Sequence, residues 1–143
     1  MNLRRAWDRD MPGVLHIYNT VHPNPDPHRE WGPLKVIGAF YEGAVVGYTS
    51  ALNAGRGVLI LTETLVLPEY QGMGLGRRLM DARFDLGRAL GLTVAACAHA
   101  PGHDHPAMRK LMKDYGFMVA PDHVAPELLR PNALIYWMDL NGI

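Results

Sequence analysis

Gln71-Gly72-Met73-Gly74-Leu75-Gly76 places a glycine at every second position, just ahead of a helix-forming stretch. Glycine lets backbone approach a ligand closely and reach left-handed conformations. The first amides of a helix lack intrahelical partners, and the helix dipole favours an anion there. The chemistry this pattern suits is phosphate binding. Upstream stands Glu63, a carboxylate inside the apolar and threonine-bearing run Leu61-Thr62-Glu63-Thr64-Leu65. A charge in such a strand is costly unless it is paired or faces a cleft. It suits a general base or a contact to an amine. The competing role is a salt bridge to an arginine such as Arg56.

Cys97, His99, His103, Asp104 and His105 form a second cluster with the residue types of a metal site. It has neither a helical H-E-x-x-H nor a paired C-x-x-C, so no metal is expected. His103 or His105 can act as an acid or touch a ligand, or be a solvated loop histidine. Tyr115 and Tyr48 are the phenolic proton donors to consider, with core packing the competing role for Tyr115. Cys97 lies in an apolar strand, whereas a reactive thiolate needs a nearby cation or a helix N-terminus. It is read as core.

These residues need a scaffold, and the chain spells one out. Residues 2–7 read as a strand. Asp10 is placed to cap a helix from Met11 to about Asn19, with Pro12 in its first turn. Residues 21–33 carry four prolines and read as an ordered loop, in which Trp31, His22 and His28 can line an acceptor pocket or, for Trp31, anchor the loop. Residues 35–41 and 44–53 read as a hairpin turning at Glu42-Gly43, followed by a strand from Val58 to Leu67. Residues 74–90 show the clearest helix, with Leu75, Leu79, Ala82, Leu86 and Leu90 on one face and Gly91 ending it. Residues 92–98 read as a buried strand, parallel to the one before the helix because a crossover joins them. A second helix runs from Pro106 to about Asp114, with Met108, Leu111 and Met112 as its apolar set, and Gly116 ends it. Residues 117–120 and 134–140 read as the last strands. The expected order is β-α-β-β-β-α-β-α-β-β.

Composition sets the outer bounds. The chain has 143 residues, 48% hydrophobic and 20% charged, with 14 basic and 14 acidic side chains. That is the make-up of one ordinary globular domain, residues 1–143. Balanced charge argues against a nucleic-acid surface or a polybasic membrane surface. A single cysteine fits a reducing compartment, and the charged N-terminus has no apolar signal-peptide core. No run approaches the ~18 apolar residues of a membrane span. The expectation is a cytoplasmic enzyme or binding domain.

The segment Val66-Leu67-Pro68-Glu69-Tyr70-Gln71-Gly72-Met73-Gly74-Leu75-Gly76-Arg77 resembles motif A of the GNAT superfamily, the acyl-CoA-dependent N-acyltransferases. The family pattern Q/R-x-x-G-x-G/A fits at every position. Tyr115-Gly116-Phe117 resembles the Gly-Phe that closes the family's second motif, and the element order is similar along nearly the whole chain. The resemblance implies a single-domain GNAT-like fold of the α/β (α+β) class, a mixed and mostly antiparallel sheet flanked by helices. It implies an N-acetyltransferase with acetyl-CoA as cosubstrate, an amine of a small molecule or an exposed protein amine as acceptor, and no nucleic-acid or membrane partner. It allows a homodimer.

Residue by residue, the resemblance implies that the backbone of Leu65, Val66 and Leu67 pairs with the pantetheine arm and holds the thioester carbonyl. The amides of Gln71, Gly72, Met73, Gly74, Leu75 and Gly76, with Arg77, cradle the pyrophosphate. His105 stands where the family often has an asparagine that touches the pantetheine arm. Met112 stands where it often has a tyrosine that protonates the leaving thiolate. Methionine cannot donate a proton, so the acid is one of His103, His105, Tyr115 and Tyr48, with His105 and Tyr115 placed first. Glu63-Thr64-Leu65-Val66-Leu67 is similar to the strand of glucosamine-phosphate N-acetyltransferases that carries a substrate-facing glutamate. That implies Glu63 as base. Deprotonating a lysine-like amine of pKa ~10.4 at pH 7 costs about 4–5 kcal/mol, which a base eases.

Two other classes compete. A dinucleotide-binding oxidoreductase is disfavoured by the glycine spacing and by Ala95, Ala96 and Cys97 standing where an acid should hold the ribose. A CoA-binding module without turnover, serving regulation or interaction, is favoured only by Met112.

Overall fold

The computed structural model describes residues 1–99, 110, 112–119, 125–128 and 134–141. Strands β2 (Leu34–Tyr41) and β3 (Ala44–Asn53) join through Glu42-Gly43, both at positive φ (51° and 83°). This is the primed turn whose twist matches a hairpin. Strand β1 (Asn2–Arg5) pairs antiparallel with β2. Helix α1 (Met11–Val21) lies between them in the chain. Strand β4 (Val58–Val66) leads to helix α2 (Leu75–Ala89). Strands β5 (Val94–His99), β6 (Met118–Val119) and β7 (Leu134–Asp139) follow. Together they form a mixed seven-stranded sheet in the order β1-β2-β3-β4-β5-β7-β6. β4 and β5 are parallel, as the helical crossover requires. β7 runs antiparallel between β5 and β6, an order that chain sequence alone does not dictate.

The chain forms two compact units, Met1–Leu52 with Thr62–Leu86, and Asn53–Leu61 with Gly87–Ile143. In the first, one core gathers Val14, Ile17, Tyr18, Val36 and Tyr48 around α1, with Trp31 and Leu65 packed against it. The other gathers Ala39, Val46, Val66, Leu75 and Leu79 around α2. Gly13 lets α1 lie close on β3, since a Cβ there would strike Val45.

In the second unit Gly91 (φ 77°) closes α2 with paired bonds, Leu92 N–H to Gly87 O (2.9 Å) and Gly91 N–H to Arg88 O (3.0 Å). This is a Schellman cap. Gly116 repeats it, with Phe117 N–H to Met112 O and Gly116 N–H to Lys113 O, both 3.0 Å. Gly87 is needed for packing: a Cβ would lie 3.0 Å from both Leu59 Cδ2 and Leu140 Cδ1. Gly87→Val is expected to cost about 1–3 kcal/mol by overpacking, read as a lowered melting temperature.

Two expectations, the Asp10 cap and the buried Leu90, are corrected. Asp10 does not cap α1. It is the last residue of a 3-10 turn at Asp8–Asp10, has helical backbone itself (φ −89°, ψ −15°), and makes no side-chain hydrogen bond to the first-turn amides. Its carboxylate accepts from Arg4 (2.8 and 3.2 Å) and from the Trp7 N–H (2.8 Å). Arg4 first and then Trp7 hold its pKa down at about 2. The buried face of α2 holds the expected Leu75 and Leu79, with Ala82 and Leu86 half-buried, and widens to Met80, Arg83 and Phe84, the Arg83 guanidinium donating to Ser50 O (3.1 Å). Leu90 falls beyond the helix end and is exposed. Of the second helix's apolar set, Met112 is buried, while Met108 and Leu111 lie outside the described residues.

Candidate active site

β3 and β4 are one residue out of step at the centre of the site. The Thr49 hydroxyl bonds the Thr64 hydroxyl (2.8 Å), and the next residue, Ser50, bonds Thr62. One step on β3 therefore spans two on β4, and Glu63 is the extra residue of a β-bulge. Without it, strict alternation would send Thr62 and Glu63 to opposite faces. The bulge puts both on the face that carries Tyr48 and α1, re-aiming the carboxylate. Thr49 Oγ1 also donates to the Glu63 carbonyl (3.3 Å), which ties down the irregular backbone.

The carboxylate is then clamped. Tyr48 Oη donates to Glu63 Oε1 (2.8 Å), and Arg29 Nη1 donates to the same oxygen (2.6 Å). Among the described residues no donor reaches Oε2. Arg29 comes from the proline-rich loop, not from the turn beside Arg56. Its guanidinium lies over Trp31 (4.4 Å) and Tyr18 (4.9 Å). Trp31 stands edge-on to both Tyr18 (5.3 Å) and Tyr48 (5.9 Å), so it anchors the loop and seats Arg29 at once. Burial works against the Arg29 charge, and Glu63 more than reverses it, holding the guanidinium above its ordinary value. Burial, then the Glu63 charge and hydrogen bond, push the Tyr48 phenol well up. Tyr48 is therefore a held hydrogen-bond donor to Glu63 and a poor source of a proton for a thiolate.

Beyond Glu63, the parallel ladder with β5 ends at Ile60↔Ala96 among the described residues, while β4 continues to Val66. The Leu67 N–H is held by Val46 O (2.9 Å), and Gln71 Nε2 donates to Val66 O (2.9 Å). These two bonds fold the chain over the 3-10 turn Pro68–Tyr70 into the glycine segment. They also occupy two of the backbone groups read as pantetheine partners. Gly72 and Gly74 take positive φ (80° and 76°), a conformation that other residues adopt only with strain. A cleft of about 380 Å³ opens there, lined by Val21, by Thr64, Leu65 and Val66, and by Tyr70, Gln71, Gly72, Gly74, Leu75 and Gly76. Arg78 N–H bonds Gly74 O (3.2 Å), so the first-turn amides of α2 precede the intrahelical ladder.

Of the residues read from sequence, Leu65, Val66, Gln71, Gly72, Gly74, Leu75 and Gly76 thus share one cleft. Leu67 packs partly into both cores of the first unit. Met73 and Arg77 are exposed. Tyr115 is half-buried in the turn before Gly116, and Cys97 is a free, half-buried thiol. His103, Asp104 and His105 lie outside the described residues, and among those described no three His, Cys, Asp or Glu side chains group as metal ligands. No described helix is long and apolar enough to cross a membrane. Arg29 has no sequence signal beyond its neighbour Trp31.

The model of the acetyltransferase (GNAT) family matches residues 2–117. The chain belongs to the GNAT acetyltransferase family. Its fold is similar to that of the ribosomal-protein-S18-alanine N-acetyltransferase from Escherichia coli, at 17% identity over 99% of this chain and 95% of that one, TM-score 0.78. It is also similar to a GNAT-family acetyltransferase from Staphylococcus aureus Mu50, at 10% identity over 98% and 99%, TM-score 0.77. A third is N-acetylglutamate synthase from Neisseria gonorrhoeae complexed with coenzyme A and N-acetyl-glutamate, at 16% identity over 99% of this chain and 35% of that one, TM-score 0.73. None of the curated proteins matches. GNAT acetyltransferases use acetyl-CoA, and Gly76 tests whether this cleft fits it. Among the described residues a Cβ at Gly76 would meet nothing within 4 Å, and its φ is not left-handed. Nothing among them calls for glycine at that position. The space that a side chain would fill opens into the cleft, at the helix N-terminus suited to a pyrophosphate.

Proposed function

We propose that this GNAT protein is an acetyl-CoA-dependent N-acetyltransferase acting on a primary amine, of a small molecule or exposed on a protein, by direct attack on the thioester. The observation that carries this reading is the open cradle at Gly76 beside a clamped carboxylate one strand upstream. Acetyl-CoA supplies an acetyl group activated as a thioester. The amides of Gln71 to Gly76 and the Arg77 side chain bind its pyrophosphate, and the backbone of Leu65 to Leu67 aligns the arm through groups other than the Leu67 N–H and the Val66 carbonyl, which Val46 and Gln71 occupy.

Glu63 accepts the proton of the amine at Oε2, directly or through one water, while Arg29 and Tyr48 keep Oε1 occupied. His105 and Tyr115 are the two groups to which we assign the return of a proton to the departing sulfur. Met112, at the position where the family often has a tyrosine, is buried and offers no proton. That observation favours a second reading, binding of acyl-CoA without turnover.

Acetyl-CoA is expected to raise the melting temperature by several degrees at a hundredfold excess over Kd. It should also release free thiol with the right member of an amine panel. The absence of a melting shift with acetyl-CoA and longer acyl-CoAs overturns the proposal. A shift with no thiol release from any amine turns it toward the binding module.

A further inference from the structure

A second cavity, of about 260 Å³, lies between β1, β2 and α2 and shares no lining residue with the glycine cleft. Strand alternation explains its walls. Leu3 and Ile37 pack partly against the core around α2. Arg5 and Lys35 stand two residues from them on β1 and β2 and so turn to the same face. Val36 belongs to the α1 core on the other face. Opposite, α2 contributes Ala82 and Leu86, one helical turn apart and both half-buried. The short Ala82 side chain leaves the space between helix and strands unfilled.

Positive charge gathers at this cavity without an internal answer. Lys35 is half-buried, and among the described residues its ammonium has neither a hydrogen bond nor an ion pair. The Arg5 guanidinium lies over the exposed Trp7 ring at 5.4 Å, and no described carboxylate pairs with it. Arg4 also borders the cavity, but Asp10 neutralises it at 2.8 Å and it stacks on Phe40 at 3.8 Å. Asp81 and Asp85, the acids of this stretch of α2, are exposed and do not line the cavity. Apolar walls take an apolar ligand body, because its burial removes apolar surface from water. Two unpaired cations favour a negative charge at one end of that body. The volume is just under the ~300 Å³ at which clefts for drug-sized ligands begin, so the body is small.

We infer that this cavity binds a small amphipathic carboxylate of the medium-chain fatty-acid type, its body against Leu3, Ile37, Ala82 and Leu86 and its anionic head on Arg5 and Lys35. The site is separate from the glycine cleft and holds whether or not the acetyltransferase reading does.

Calorimetric titration with octanoate, octylammonium and acetate, each with and without saturating coenzyme A, tests this. Acetate has the head without the body, and octylammonium has the body with the opposite charge. Octanoate should bind saturably, about tenfold or more tighter than either, and coenzyme A should leave its affinity unchanged. Arg5→Gln combined with Lys35→Gln should weaken octanoate about tenfold. Ala82→Leu, which fills the cavity, should abolish its binding. Cooperative melting of each variant certifies the fold. Failure of octanoate to bind overturns the inference, as does equal binding of octylammonium. Displacement by coenzyme A would place octanoate in the glycine cleft and overturns it too. So does full octanoate affinity in folded Ala82→Leu. A concentration-dependent dimer that the double charge variant dissociates would give this face to a second copy of the chain, again overturning it. If Ala82→Leu does not fold, the double charge variant decides, and an affinity unmoved there overturns the inference.

Discussion

Gly76→Glu should make the ligand-free protein more stable and abolish its response to acetyl-CoA. The two effects have opposite signs and separate sources. Residue 76 is the second residue of α2, its φ is ordinary, and a side chain there meets open space. Glycine in a helix costs roughly 0.5–1 kcal/mol relative to a good helix former. A carboxylate in the first turn adds about 0.3–1 kcal/mol through the helix dipole. Together these should raise the ligand-free melting temperature by roughly 2–6 °C. The same side chain fills the cradle and sets a negative charge where we propose that the pyrophosphate binds. At about 4 Å and an effective dielectric near 20 that repulsion is about 4 kcal/mol, close to a thousandfold in Kd. Melting curves with and without acetyl-CoA read both effects. Gly76→Ala separates them further, keeping part of the helix gain without the charge. A full acetyl-CoA shift in Gly76→Glu would show that the pyrophosphate lies elsewhere.

What could be read from the sequence was whatever local chemistry decides. Glu42-Gly43 between two β-favouring runs already spells a hairpin, and Gly91 and Gly116 already end their helices, because left-handed backbone is a property of single residues. Parallel pairing of β5 follows from the crossover alone. The glycine segment was legible for the same reason: alternate glycines before an amphipathic helix have few other uses. The carboxylate's surroundings were not. Thr62-Glu63-Thr64 alternates like any strand, and the bulge exists only in its register against Thr49 and Ser50. Arg29 and Glu63 are 34 residues apart, joined through a loop whose prolines announce rigidity without saying where it points. Asp10 failed as a cap because a turn just before α1 had already set its backbone. The buried face of α2 is wider than its leucines, because a buried arginine, Arg83, counts as polar in any periodicity although it sits in the core.

The bulge gives the glycine cleft and the clamped carboxylate a common origin. β4 must run regularly from Leu65 onward to feed the turn at Pro68, yet it must also turn Glu63 toward Tyr48 and the proline loop. One extra residue satisfies both, because it changes the facing of the residues before it and leaves those after it in register. A substitution at Glu63 can therefore test its proposed role without moving the glycine cleft, provided the clamp is kept.

Glu63→Gln is the substitution that meets this condition. Glutamine is nearly isosteric, and its carbonyl oxygen can still accept from Arg29 and Tyr48, since both are donors. The amide nitrogen then takes the place of Oε2, which converts the atom we assign to the amine's proton from a hydrogen-bond acceptor into a donor. The fold should survive with a cost of about 1–3 kcal/mol, because Arg29 loses its counter-charge but keeps its aromatic seat. The acetyl-CoA melting shift should be unchanged. Turnover should fall by about 10²- to 10⁴-fold at pH 7, the range of a lost general base. The deficit should shrink as pH rises, because solution then supplies the neutral amine that Glu63 would have produced. For an amine of pKa ~10.4 each pH unit between 7 and 9 provides about tenfold more of it. A rate profile for Glu63→Gln that climbs with pH toward the amine's own pKa, beside a flatter wild-type profile, identifies proton acceptance as the missing step. A loss that stays constant across that range instead assigns Glu63 to holding the amine, since binding geometry does not recover when protons leave.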